Sequence, residues 1–202
     1  MPARQPVPWE LSTATHCQDF FYARVFHRTE RVDVVGFARH TVPGRTLSGR
    51  EFCPFLGARD GAHIYVTGTR EHLEVRGANR EQRLVWLVTL ARATAAAHAV
   101  DQSVGLLKSL WVDPNTQELA VADYYYYSQS RAPAAADVAR LGKIGLDWLG
   151  EFADQDCDFF ERCLDPNACV TAQECEQVFQ GWLDQCRSSS HPSHSYGLSS
   201  ST

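Results

Sequence analysis

The hydrophobic period of this chain changes at Asn79, and that change constrains the fold more than any other feature. Before it, Phe20-Phe21-Tyr22-Ala23-Arg24-Val25-Phe26 and Val32-Asp33-Val34-Val35-Gly36-Phe37 are aromatic and β-branched, with turn dipeptides at Pro43-Gly44 and Asp60-Gly61. Such runs predict strands. His63-Ile64-Tyr65-Val66 and His72-Leu73-Glu74-Val75 add two short ones around Gly68. After it, Leu84, Leu87, Val88, Ala91, Ala95 and His98 recur on one helical stripe that runs to Ala99. Asn79 and Gln82 stand where a capping box would open that helix.

The remainder reads as a hairpin and three more helices. Leu110-Trp111-Val112-Asp113 and Glu118-Leu119-Ala120-Val121-Ala122 flank the turn Pro114-Asn115-Thr116. Helices are predicted over 135–149, 155–164 and 171–185, the last opened by Thr171 and Glu174. Residues 1–16, with prolines at positions 2, 6 and 8, read as a flexible leader. Residues 187–202 read as a low-complexity, disordered tail in which His191 and His194 are solvated. The expected organisation is therefore a leader, a β-rich region over 17–76, a helical region over 77–186 and a tail, in the α+β class.

Composition narrows the function. A hydrophobic fraction of 44% with 11% aromatics supports a real core. A net charge of −5 and a pI near 5.9 argue against a nucleic-acid partner, since only Arg76, Arg80 and Arg83 approach a basic patch. No apolar run approaches the roughly 18 residues of a membrane span. The segment MPARQPVPWELSTATH lacks the apolar stretch of a signal peptide, so a cytoplasmic or nuclear location is expected. Four of the seven cysteines, Cys157, Cys163, Cys169 and Cys175, recur every six residues. Along one helix that spacing rotates a side chain by about 240°, so the thiols would not share a face. Reduced structural thiols are the simplest reading, and closed zinc sites use closer pairs. A cysteine-rich secreted effector is the alternative.

The segment SLWVDPNTQELAVADYYYY resembles the hairpin that follows the catalytic loop of protein kinases. Asp123 falls where the metal-binding aspartate of Asp-Phe-Gly stands, followed by Tyr124 and Tyr125 in place of Phe and Gly. Ser109 falls at the second metal-binding position, and the His-Arg-Asp triplet falls on Gln102-Ser103-Val104, leaving Val104 at the general-base position. RAPAAADVARLGKIGLDWLG is similar to the end of an activation segment and the central C-lobe helix, with Ala132-Pro133-Ala134 for Ala-Pro-Glu. The resemblance implies that Asp137 is buried and braces the catalytic-loop backbone, and that His98 is a structural helix-end histidine. Only 13 residues separate Asp123 from Asp137, too few for a substrate-docking platform. CDFFERCLDPNACVTAQECEQVFQGWL resembles the last helices, with Cys169 where an arginine pairs with the missing glutamate at Ala134. The match covers 79–185 and implies a kinase-like fold, a small β-rich N-lobe on a mainly helical C-lobe.

The chemistry implied by that fold is impaired. Not one lysine precedes Lys108, and no G-x-G-x-x-G is present, so the phosphate-binding lysine and loop are both missing. Asp123 is then a relic metal site, and no catalytic residue, cofactor or metal is assigned. The expectation is a pseudokinase that binds a protein partner, a true kinase or its substrate. A weak or atypical ATP-binding phosphotransferase is the alternative. The run Tyr124-Tyr125-Tyr126-Tyr127 places two phenols on each face of a strand: packed inward, plugging the crevice, or forming an exposed protein-binding patch. His16/Cys17 and His98/Asp101 are weaker pairings for a cysteine nucleophile.

Overall fold

A computed structural model describes residues 11–16, 20–27, 30–38, 47–59, 62–104, 110–126, 133–150 and 157–189. The β-rich region is one five-stranded antiparallel sheet, built from β1 (Leu11–His16), β2 (Phe20–His27), β3 (Glu30–Ala38), β4 (Phe55–Arg59) and β5 (Ala62–Val66), in the order β1-β2-β3-β5-β4. At its centre Val35 stands opposite Tyr65, and Gly36 opposite Ile64. Val34, Val35, Ile64 and Tyr65 are all buried. Successive strand residues point to opposite faces, so burial of both neighbours means that both faces are covered there.

Two expectations for this region change. The leader was expected to be loose throughout, yet 11–16 forms β1 and pairs with β2. The expected strand over 72–75 reduces to β6 (Glu71–His72), which leaves the first sheet and pairs with β8 (Leu110–Val112) of the hairpin. Leu73 extends the link, its N–H donating to the Leu110 carbonyl at 3.0 Å. The boundary between the β-rich and helical regions is thus crossed by backbone pairing.

α1 (Arg80–His98) opens as its sequence predicts: Asn79 caps it, accepting a hydrogen bond from the Gln82 N–H at 2.9 Å. Its buried surface is wider than one stripe, because Trp86, Leu90, Ala93, Thr94 and Ala97 are buried as well. A helix covered from several sides loses the clean polar face of a surface helix. The hairpin of β8 and β9 (Leu119–Val121) lies against α1, with the Trp86 indole N–H donating to the Gln117 carbonyl. Segment 51–53 then joins β9: the Cys53 N–H donates to the Val121 carbonyl and the Val121 N–H to that of Glu51, each at 2.8 Å.

α2 (Pro133–Leu149), α3 (Cys157–Leu164) and α4 (Ala172–Ser189) complete the fold, with α4 reaching through Arg187 and Ser188 into the expected tail. α3 lies unusually close to α2. A Cβ on Gly145 would overlap the Phe160 ring, and one on Gly142 would stand 2.6 Å from the Cys163 Cβ. Phe159, Phe160, Phe179 and Trp182 then pack ring to ring, with centroids 5.4–6.3 Å apart. The fold is α+β, and among the described residues no helix is long and apolar enough to cross a membrane.

Candidate functional site

The residues singled out by the sequence converge on one small ribbon. β7 (Gln102–Val104) pairs antiparallel with β10 (Tyr124–Tyr126), so that Val104 faces Tyr124 and Ser103 faces Tyr125. The triplet that aligns with a catalytic loop is therefore a strand, hydrogen-bonded to the residues that follow Asp123.

Tyr124 occupies the junction between this ribbon and the five-stranded sheet. It is fully buried. Its ring meets Tyr65 at a centroid distance of 5.0 Å and Phe52 at 5.5 Å, both edge-on, and Phe55 packs on Tyr65 at 5.4 Å. Its hydroxyl donates to the Cys53 carbonyl at 3.1 Å. The Tyr65 hydroxyl donates to the Tyr124 carbonyl at 2.8 Å and accepts from the Tyr124 N–H at 3.1 Å. The Tyr65 phenol is thus anchored to the β10 backbone, and the Tyr124 phenol to the backbone of segment 51–53. Burial, and then the neighbouring Cys53 thiol, push the Tyr124 phenol up to about 12. Burial pushes Cys53 itself up to about 12, against the pull of Arg70.

Asp123, one residue earlier, is also fully buried. Tyr125 and Tyr126 continue the strand opposite Ser103 and Gln102, while Tyr127 and Ser109 lie outside the described residues. Tyr124 is placed inward. Val104, at the position where the resemblance requires a proton acceptor, is buried and apolar.

The other face of the ribbon is polar. Asp137, buried on α2, accepts from the Ser103 hydroxyl at 2.7 and 2.9 Å, from His98 Nε2 at 3.0 Å and from Arg140 Nη1 at 3.1 Å. Arg140 also donates to the Val104 carbonyl at 3.2 Å. The expected contact from Asp137 to backbone amides of 102–104 is instead a contact to the Ser103 side chain, because β10 runs beside that backbone. The brace reaches the backbone through Arg140. Sequence reading missed both partners, although an arginine three residues after a buried helical aspartate is a usable signal.

Ser103, Asp137 and His98 share the residue types of a hydrolytic triad in the wrong order. A triad places the imidazole between hydroxyl and carboxylate, so that it can take the hydroxyl proton. Here the carboxylate sits between them, and Ser103 is only 2% exposed. Asp101, the other candidate partner of His98, lies exposed in the turn after α1, with a left-handed φ of 57°. Cys17 lies outside the described residues.

A separate open groove of 590 Å³ runs along α1, the hairpin turn and Arg187 of α4. Arg50, Arg92 and Arg187 line it, but so do Glu51, Glu81 and Glu118. Arg187 pairs with Glu81 at 2.8 Å and Arg50 with Glu118 at 3.3 Å. Matched charges of this kind make a poor cradle for a polyanionic phosphate chain. Among the described residues no cluster of three or more His, Cys, Asp or Glu side chains could hold a metal ion. No protein-family model matches this chain, and no curated protein matches its sequence.

Proposed function

We propose that this chain is a degenerate protein-kinase-like domain that acts by binding another protein, a kinase or a kinase substrate, without phosphotransfer of its own. The observation that carries the reading is the placement of Tyr124. In the kinase resemblance its position belongs to the mobile metal-binding loop beside the nucleotide; here its ring is buried against Tyr65 and Phe52 and tied to the Cys53 backbone. The element order supports it too: a β-rich unit, a long helix, a hairpin ending in Asp123, and then helices. So does Asp137, which sits against the strand aligned with the catalytic loop.

The test is ligand binding. A ligand present at 100 times its dissociation constant stabilises a fold by about 2.7 kcal/mol. Millimolar Mg-ATP is expected to leave the melting temperature unchanged, and radiolabelled ATP to leave generic acceptors unlabelled. A magnesium-dependent rise abolished by Asp123→Asn would replace this reading with a nucleotide-binding phosphotransferase. Direct, saturable capture of a kinase by the purified chain is the expected positive result.

A further inference from the structure

Cys163, near the end of α3, and Cys175, in the first turn of α4, bring their Sγ atoms to 3.8 Å in a buried contact. Packing imposes this approach. Gly142 gives α3 its close seat on α2 at Cys163, and Arg162 and Glu174, the residues just before each cysteine, form an ion pair at 2.8 Å. A second observation is a cavity of 370 Å³ between the start of α2 and the α3–α4 connection. Ala135, Ala139, Cys163, Pro166, Cys169 and Val170 are in its wall. Cys163 is 3% exposed and belongs to the wall of a cavity wide enough for a peroxide, whereas Cys175 is fully buried and not part of that wall.

We propose that Cys163 and Cys175 form a peroxide-sensitive dithiol, with Cys163 as the attacking thiolate and Cys175 as the resolving thiol. Cys163 attacks the terminal oxygen of a hydroperoxide; the S–O bond forms as the O–O bond breaks, and the alkoxide or hydroxide leaves with a proton. Cys163 is then a sulfenic acid. Cys175 attacks that sulfur, the S–S bond forms, and the S–O bond breaks, with hydroxide leaving as water on taking the Cys175 proton. In sum the two thiols lose two electrons and two protons, and the peroxide is reduced to water plus an alcohol, or to two waters. Closure draws the sulfurs from 3.8 Å to about 2 Å.

The local electrostatics agree with these roles. The hydrogen bond from Cys175 holds the Cys163 thiol below its usual range. That same hydrogen bond, followed by burial, drives Cys175 upward. Of the two sulfurs, the one that lines the cavity is thus the easier to ionise, as attack on peroxide requires.

The sequence makes the test unambiguous. Residues 163–187 contain Cys163, Cys169, Cys175 and Cys186 with no internal tryptic site, so a glutamate-specific protease is needed to cut after Glu174, and cleavage before Asp165 separates Cys163 from Cys169. The full chain is treated with a few equivalents of hydrogen peroxide, alkylated and mapped by mass spectrometry. A Cys163–Cys175 crosslink is expected, two hydrogens lighter than the reduced pair and reversed by dithiothreitol. It should raise the melting temperature by roughly 5–10 °C. Cys175→Ser should instead accumulate a dimedone-reactive sulfenic acid at Cys163, and Cys163→Ser should leave Cys175 reduced. Mapping of the unsubstituted chain stands even if a variant fails to fold. A Cys163–Cys169 bridge, a bridge between chains, oxidation confined to Cys169 or Cys186, or a Cys163–Cys175 pair still fully alkylatable after peroxide would each overturn the proposal.

Discussion

The two faces of the β7–β10 ribbon are held in opposite ways. On one face Tyr124 packs against Tyr65 of the five-stranded sheet and Phe52 of segment 51–53, and its hydroxyl donates to the Cys53 carbonyl. On the other, Ser103 meets a buried carboxylate shared with His98 and Arg140. The aromatic face depends on close packing, where a gap of about 0.5 Å already forfeits roughly a quarter of a contact. The polar face depends on charge instead. Ser103, His98 and Arg140 all converge on one buried carboxylate, so losing that group removes several charge-assisted contacts at once.

Removing the carboxylate is therefore the harshest way to break this arrangement. Asp137→Ala should destabilise the fold by about 3–5 kcal/mol, the usual result of removing one partner of a buried charged pair. Asp137→Asn keeps the shape and an acceptor oxygen and should cost less. Urea unfolding followed by tryptophan fluorescence would measure both, and an alanine variant as stable as the parent would refute the bracing role.

The aromatic face offers a sharper comparison, because the same atom can be removed from two tyrosines. Tyr65→Phe takes away both a donor to the Tyr124 carbonyl and an acceptor for its N–H. Tyr124→Phe takes away the donor to the Cys53 carbonyl and an oxygen that also meets the backbone of Leu47 and Phe55. A buried backbone group left unpaired costs about 1–3 kcal/mol. Each substitution should therefore cost about 1–3 kcal/mol in the same unfolding assay. A variant as stable as the parent would mean that the backbone groups its hydroxyl satisfies find other partners.

How much of this was legible in the sequence follows from length and separation. Long elements with a sustained period were readable: α1 with its Asn79 cap, the hairpin around Pro114-Asn115-Thr116, and the last three helices. β7 was not, because its three residues carry too little alternation to register a period and lack the flanking turn that marks the equally short β8 and β9; β10 was read as a strand only through its tyrosine run, and β4 is irregular at Gly57. Asp137 and His98 were each identifiable singly, from the kinase resemblance. Their direct contact spans 39 residues and exists only once α1 and α2 are packed. Tyr65 gave no local sign of a role, since its strand reads like any half-buried strand, and what distinguishes it is a partner 59 residues away. The cysteine spacing argued against a shared face along a single helix. Cys163 and Cys175 meet because they sit on two helices joined by a turn, a geometry that spacing alone does not encode.

Alkaline titration tests the aromatic face most gently. An unfolded tyrosine ionises near 10.0, but Tyr124 in the fold is pushed up to about 12. A raised acid of this kind favours the folded state fully below the unfolded value, because both states are then neutral. As pH rises past that value the unfolded chain loses its proton and the folded chain does not, so stability falls until the folded phenol also ionises. Cys53 acts in the same direction from a lower start, its ordinary value of 9.0 being pushed up to about 12. Between about pH 9 and 10.5 the unsubstituted chain should therefore lose stability, and Tyr124→Phe should lose about 1 kcal/mol less, the Tyr124 share of the proton linkage. The denaturation midpoint across that range is the measurement. Parallel pH profiles for the two proteins would mean that the Tyr124 hydroxyl ionises in the fold as freely as in water, and that the junction it fills is open to solvent.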